Sequence, residues 1–447
     1  MRRLAINLDA LRASRDFRRL ALGEVLAGLG TQAALVAVPY QVFVLTGSAG
    51  LVGLLGLAEL IPMVFVSLLG GAVADRIDRR RLLIAAQLAT MLAAGILAGV
   101  TAAGRPPIVL VFVLAGLLAG GASLQLTAQS SMIPALVGDR LRSALAFNFG
   151  AYQLTAIVGP GLGGLMIATL GVGSAYLFDV VSCCALVVAA LSIAPQRPVP
   201  PTGDREPILA SILEGLRFVR RNNALMGSFA IDLVAMTFGM PRSLFAVLSL
   251  SLYHAGAGGT GLLYAAISAG GTLAVLTSGW VSHARRLGRI VIFMVLGWGA
   301  AIAAMGLVRS IVPAIVLLAA AGYADSVSAF CRSTINQTVT PDALRGRMSS
   351  VFSLIVAGGP RLGDIESGLV AGLTSAMTSV VSGGLACVVG VGAVFLAFPE
   401  LVGYDEREAA RDFAVSRDAG PGTRSDPAPP PPTPPLGICR SDQPDSA

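Results

Sequence analysis

The chain contains no lysine; all 32 of its basic residues are arginine. A phosphate loop of the Gly-x-x-x-x-Gly-Lys type is therefore excluded, and with it ATP hydrolysis through such a loop. Histidine is nearly missing as well: His254 and His283 are the only two, and neither stands at a metal-ligand spacing. Five cysteines (Cys183, Cys184, Cys331, Cys387 and Cys439) form neither a metal pattern nor a disulfide framework. The first four lie in apolar runs, as small packing residues do. No metal and no cofactor is expected, and no enzymatic constellation can be read. Charge of either sign is scarce, at 13% of 447 residues, while 55% are hydrophobic. A soluble chain carries about 25% charged and about 45–50% apolar residues. Few soluble folds could hide so much apolar surface, so the composition points to a chain that crosses a membrane many times.

What is present is a series of long apolar runs. A bilayer core of about 30 Å needs about 20 apolar residues per helix. On that ruler twelve runs fall near 20–46, 50–74, 82–102, 107–133, 143–170, 173–194, 224–251, 259–282, 290–308, 311–337, 348–374 and 377–398. Met1–Leu20 is polar and basic, so no cleavable signal peptide is expected and the first run serves as the insertion signal. The expected organisation is a six-helix unit over 1–194, a linker over 195–223, a second six-helix unit over 224–399 and a proline-rich tail over 400–447 that should be disordered and extended. Within the linker, Ile208, Ile212, Leu213, Leu216 and Val219 share one helical face, as in a helix lying on a membrane surface.

The net charge of +7 is no sign of nucleic acid, because the arginines cluster in loops between apolar runs. Arg2, Arg3, Arg12, Arg15, Arg18, Arg19, Arg76–Arg81, Arg140, Arg142, Arg285, Arg286, Arg289, Arg345 and Arg347 fall on one side, and little beyond Arg105 and Arg309 falls on the other. Basic loops face the cytoplasm, which places both termini there. The halves also repeat: Gly279–His283 aligns with Gly71–Asp75 at an offset of 208, and Pro341 and Arg347 align with Pro134 and Arg140 at an offset of 207. Two parallel copies are what a six-plus-six transporter requires.

Three groups of residues carry a family resemblance. Gly71-x-x-x-Asp75-Arg76-x-x-Arg79-Arg80 resembles the loop between the second and third helices of major facilitator transporters, with Asp78 where glycine is usual. Gly159-Pro160-Gly161-Leu162-Gly163-Gly164 resembles the antiporter signature of drug exporters. Gly261–Ile267, Arg345-Gly346-Arg347-Met348 and Gly363-Asp364 narrow the match to the enterobactin-exporter branch, whose members export siderophores and drugs by proton antiport. The resemblance implies an all-α membrane protein of the major facilitator fold, with 12 transmembrane helices in two pseudo-symmetric bundles. It implies a bacterial inner-membrane antiporter of a small molecule. It further implies that Asp75 and the loop arginines gate the cytoplasmic mouth, and that helices one, four, seven and ten line the cavity. Protons and membrane lipid are the other expected partners, and a monomer is the expected state. Import of a small nutrient, or a non-transporting sensor or assembly role on the same fold, are the competing readings.

An ionisable residue inside a membrane helix is costly and marks a functional site by default. Glu24, Glu59, Asp179, Asp232, Arg242, Asp325, Arg332, Arg361, Asp364 and Glu366 all fall in apolar runs. The resemblance favours Glu24, Asp232, Asp325 and Arg332 as cavity and proton-coupling residues, because a carboxylate in a dry cavity disfavours its charged form. Arg361 and Asp364, one turn apart, are expected to neutralise each other, and Glu59 beside Pro62 is expected equally to be functional or to satisfy backbone groups near a kink. Gln125, Gln129, Asn336, Gln337, Phe238, Phe245 and Tyr323 are the candidate substrate contacts.

Overall fold

The computed structural model describes residues 11–12, 14–74, 77–104, 106–196, 208–341 and 344–404. Among them every regular element is helical. In hydrocarbon each backbone N–H and C=O must be satisfied within its own segment, and helices do so. The chain runs α1 (Arg15–Thr46), α2 (Ala49–Ala74), α3 (Arg79–Ala102), α4 (Ile108–Val137), α5 (Leu141–Leu170) and α6 (Val172–Leu191). The surface helix α7 (Ile208–Arg221) follows, on the stretch whose sequence is amphipathic. The second half holds α8 (Asn223–Phe238), α9 (Leu244–Ser251), α10 (Gly256–Thr277), α11 (Leu287–Leu307), α12 (Ile311–Val339), α13 (Arg345–Leu373), α14 (Ala376–Ala397) and the short α15 (Pro399–Gly403).

Nine helical stretches among the described residues are long and apolar enough to span a bilayer. One of these, Ile108–Leu170, contains both α4 and α5. The seventh and eleventh expected spans lie outside those nine. The seventh is not one helix, as its sequence run suggested. It breaks at 239–243, where Pro241 lacks an N–H. The break is held from outside: the Asp364 carboxylate accepts from the Ser243 N–H at 2.8 Å, and the Tyr264 hydroxyl donates to the Arg242 carbonyl at 2.9 Å.

Within the first half α1 packs on α5 and α6, α2 on α4, and α3 on α4 and α6. In the second half α10 and α11 flank α12, and α14 packs on α11. The two halves meet along α2–α13 and α5–α10. Both seams depend on glycine. A Cβ on Gly372 would sit 3.0 Å from the Gly50 Cα, and one on Gly164 would sit 2.7 Å from the Ala257 carbonyl oxygen. At Gly53 and Gly368 the backbones approach so closely that neither could carry a side chain without displacement. These contacts lie at the end of the bundle away from the chain termini.

Asp78, in the place of the usual glycine, is the N-cap of α3. Its carboxylate accepts from Arg80 N at 2.9 Å and from Gln196 N at 3.0 Å. Arg79 donates to the Ser131 carbonyl at 2.8 Å and Arg80 to the Leu191 carbonyl at 2.7 Å. The two arginines therefore bond within their own half, Arg79 to the last third of α4 and Arg80 to the final carbonyl of α6. Asp75, Arg76 and the tail beyond Tyr404 lie outside the described residues, as do the surroundings of Gly71.

Candidate functional site: a charged cavity between the halves

A cavity of about 400 Å³ lies between the two halves. Its first-half wall includes Gln32 and Leu35 of α1, Glu59 of α2, Gln125 of α4, Tyr152 and Gln153 of α5, and Asp179 of α6. Its second-half wall includes Arg242 from the break after α8, Tyr264 and Ser268 of α10, Asp325 and Ser326 of α12, and Arg361 of α13. All four helices of the expected set contribute, the seventh through Arg242 at its break, but so do two, three, five, six, eight and eleven.

Two buried charge clusters sit at the second-half wall. In the first, Arg332 reaches Asp232 at 2.7 Å and Asp325 at 3.7 Å. Arg332 also donates to the Ser328 hydroxyl at 2.9 Å. Asp232 and Arg332 are 3% and 5% exposed and stand behind Asp325, which borders the cavity. The second cluster corrects a local expectation. The nearest carboxylate to Arg361 is Glu59, across the seam between halves, with Nε 3.0 Å from Oε2. Asp364 instead accepts from Ser243, and α2 runs unbroken past Pro62. A charge on α2 meets its opposite on α13 because the glycines above bring these two helices together.

The remaining candidates fall elsewhere. Glu24 does not border the cavity; the Gln129 and Asn148 side chains hydrogen-bond to it instead. Asn336 and Gln337 line a separate space of about 290 Å³ with Phe229, Met348 and Phe352. Phe245 is fully buried against Tyr264, with ring centroids 5.0 Å apart, and the Tyr323 hydroxyl takes a hydrogen bond from Thr277. Tyr152 and Tyr264 are the aromatic rings the cavity presents. The glycines of the fifth span have a packing role. Gly159 and Gly163 bed on α1, where a Cβ on Gly163 would sit 2.7 Å from the Ala33 Cα, and Gly164 crosses to α10. Pro160 borders the cavity without interrupting α5.

A family model described as transmembrane secretion effector matches residues 8–415. The chain belongs to the major facilitator superfamily. The enterobactin exporter EntS of Salmonella paratyphi A is 31% identical over 419 residues, covering 93% of this chain and 98% of the relative. The enterobactin exporter EntS of Citrobacter koseri is 32% identical over 395 residues, 88% and 92% of the two chains. Solved structures share the fold at low identity. The nucleoside transporter NupG superposes with a TM-score of 0.66 at 15% identity, over 86% of this chain and 99% of that one. A bacterial homologue of the iron transporter ferroportin in an inward-facing state gives 0.64 at 15% identity, over 87% and 98%. The protein is thus a multi-pass membrane transporter of a small molecule in a bacterial inner membrane, and not an enzyme. Among the described residues, the helices other than α7 and α15 are consistent with twelve spans in two six-helix bundles, with α8 and α9 together forming the seventh.

Proposed function

We propose that this protein exports an amphipathic organic molecule, a siderophore or a hydrophobic drug, by proton-coupled alternating access. The observation that carries the reading is the cavity of about 400 Å³ walled by both halves and lined by Glu59, Asp179, Arg242, Asp325 and Arg361. Sites for drug-sized ligands measure about 300–1,000 Å³, with an apolar lining and a few polar groups to orient the guest. The enterobactin-exporter relatives support a siderophore-sized guest and the outward direction.

The arginine asymmetry supports both termini in the cytoplasm. With that orientation the glycine seams close the outer mouth, and this conformation faces inward. Residues 1–194 and 224–399 then rock against each other, with the linker and α7 on the cytoplasmic face. Gly71, Asp75, Arg76, Arg79 and Arg80 gate the inner mouth, with Arg79 and Arg80 trading their contacts within the half for contacts across it as that mouth closes. Gly159, Pro160, Gly163 and Gly164 let α5 slide on α1 and α10. Of the carboxylates favoured by the sequence, Asp325, which borders the cavity, meets both guest and water. Arg332, itself paired with Asp232, holds it from behind, and Glu24 lies off the path.

Two measurements test this. A deletion strain grown under iron limitation should lose one extracellular siderophore relative to its parent. Restored efflux of that compound should collapse when an uncoupler dissipates the proton gradient. Efflux that ignores the uncoupler removes proton drive, and uptake of the compound by the intact cell reverses the direction.

A further inference from the structure

We propose that Asp179 of α6 is the carboxyl group that binds and releases the coupling proton. This rests on the proton-coupled reading above and names its site. Asp179 is 1% exposed and borders the central cavity. Its Oδ1 takes two weak donors, the Thr31 hydroxyl of α1 at 3.4 Å and the Cys183 thiol of its own helix at 3.6 Å. Its Oδ2 is shut off from solvent and accepts no hydrogen bond among the described residues.

The other carboxylates at the cavity or directly behind it are compensated. Asp232 and Asp325 share Arg332, Glu59 has Arg361, and Asp364 takes the Ser243 N–H. Glu24 takes two side-chain amides, and although its Oε1 and the Glu366 Oε2 accept no hydrogen bond among the described residues, neither acid borders the cavity. Asp179 has no cation within ion-pair distance among the described residues. From α1 it faces Thr31, and the titratable group beside it on α6 is Cys183. The arginines that open α1, α3 and α5 all stand at the inner end. There Arg80 holds the Leu191 carbonyl, 12 residues and about 18 Å along α6 from Asp179. A buried carboxylate without a cation sheds its charge by taking a proton.

The packing makes that proton sensitive to the transport state. α1 lies so close over Asp179 that a Cβ on Gly30 would sit 2.7 Å from the Asp179 Cα. The helix contact closes one side, so exchange with water goes through the cavity. When the cavity faces outward, Oδ2 binds one proton from outside water. When it faces inward, the O–H bond breaks and that proton leaves to the cytoplasm. During the loaded stroke an N–H or O–H donor of the guest takes the proton's place, so the guest carries such a donor.

The test needs no identified substrate. Wild-type protein in liposomes is treated with dicyclohexylcarbodiimide, which modifies protonated carboxyls in apolar surroundings, and the adducts are mapped by mass spectrometry. The expected adduct sits on Asp179 and declines with rising pH, by about tenfold per pH unit once the group is ionised. Asp232 and Glu59, held by arginine, are modified far less. Asp179→Asn removes the adduct and Asp179→Glu keeps it. An unmodified Asp179 at every pH, or a yield on Asp179 that does not follow pH, overturns the assignment. A pH-dependent adduct together with uncoupler-insensitive efflux upholds Asp179 as the exchangeable acid and overturns proton drive, so the two failures are distinct.

Discussion

Arg332 shows what a single side chain must do in this bundle. Its guanidinium is 2.7 Å from Asp232 and 3.7 Å from Asp325, and all three come from apolar helices. Removing one partner from a buried pair costs about 3–5 kcal/mol, because the remaining charge has no water to turn to. Arg332→Ala should therefore lower the thermal midpoint of the purified transporter by many degrees. Arg332→Lys, which keeps the charge but not the planar fork, should fall between. A variant that melts with the wild type would show that the triad is not paired. Glu59 and Arg361 offer a sharper test, because their bridge joins the two halves at 3.0 Å. Glu59→Gln and Arg361→Gln should each destabilise strongly, and the double variant should lose much less than their sum. Simple additivity would mean the two charges do not interact.

Which charged residues exist was legible in the sequence; where they point was not. Asp179 and Glu59 are visible as acids in apolar runs, yet the family resemblance points to helices one, four, seven and ten. In a soluble helix, polar residues mark the outer face and period 3.6 tells the faces apart. Here lipid is as apolar as the interior: Leu22, Phe65 and Val113 are exposed while Leu20, Leu83 and Val111 are buried. The face each acid occupies therefore leaves little trace in the chain.

At the scale of elements the sequence did better, for a physical reason. Long apolar runs divided by arginine-rich loops fix where helices start and stop, and α5 and α6 fall within a few residues of expectation. α1 begins at Arg15, five residues before its apolar run, because the Ser14 hydroxyl caps it through Phe17 N at 3.1 Å. The seventh span was the failure. Pro241 signals a break, but the groups that stabilise it, Asp364 and Tyr264, lie on other helices and are silent locally. The glycine seams were equally hidden, since a small residue in an apolar run looks the same facing a neighbour or facing lipid. They make a prediction. A side chain at Gly53 collides with the Gly368 backbone, so Gly53→Val should prevent the α2–α13 seam from closing. Cysteines introduced at Ser48 and Thr374 should then cross-link poorly compared with the same pair in the parent chain. Equal cross-linking would mean the seam tolerates the side chain.

The whole molecule is two six-helix bundles touching along α2–α13 and α5–α10, with a charged cavity at mid-depth. Interfaces of this kind have discrete packed arrangements rather than a continuum, and a change in the charge of a group between them can favour one over the other. A proton gained at a cavity carboxylate should therefore shift the balance between mouths. Distances between spin labels report both mouths in one sample. One pair, at Ser48 and Thr374, spans the end away from the termini, and another, at Ser192 and Arg285, spans the opposite end. Proton-coupled rocking predicts that acidification lengthens the first distance and shortens the second, and that Asp179→Asn abolishes the response. Two distances that stay fixed with pH, or that lengthen and shorten together, would contradict it.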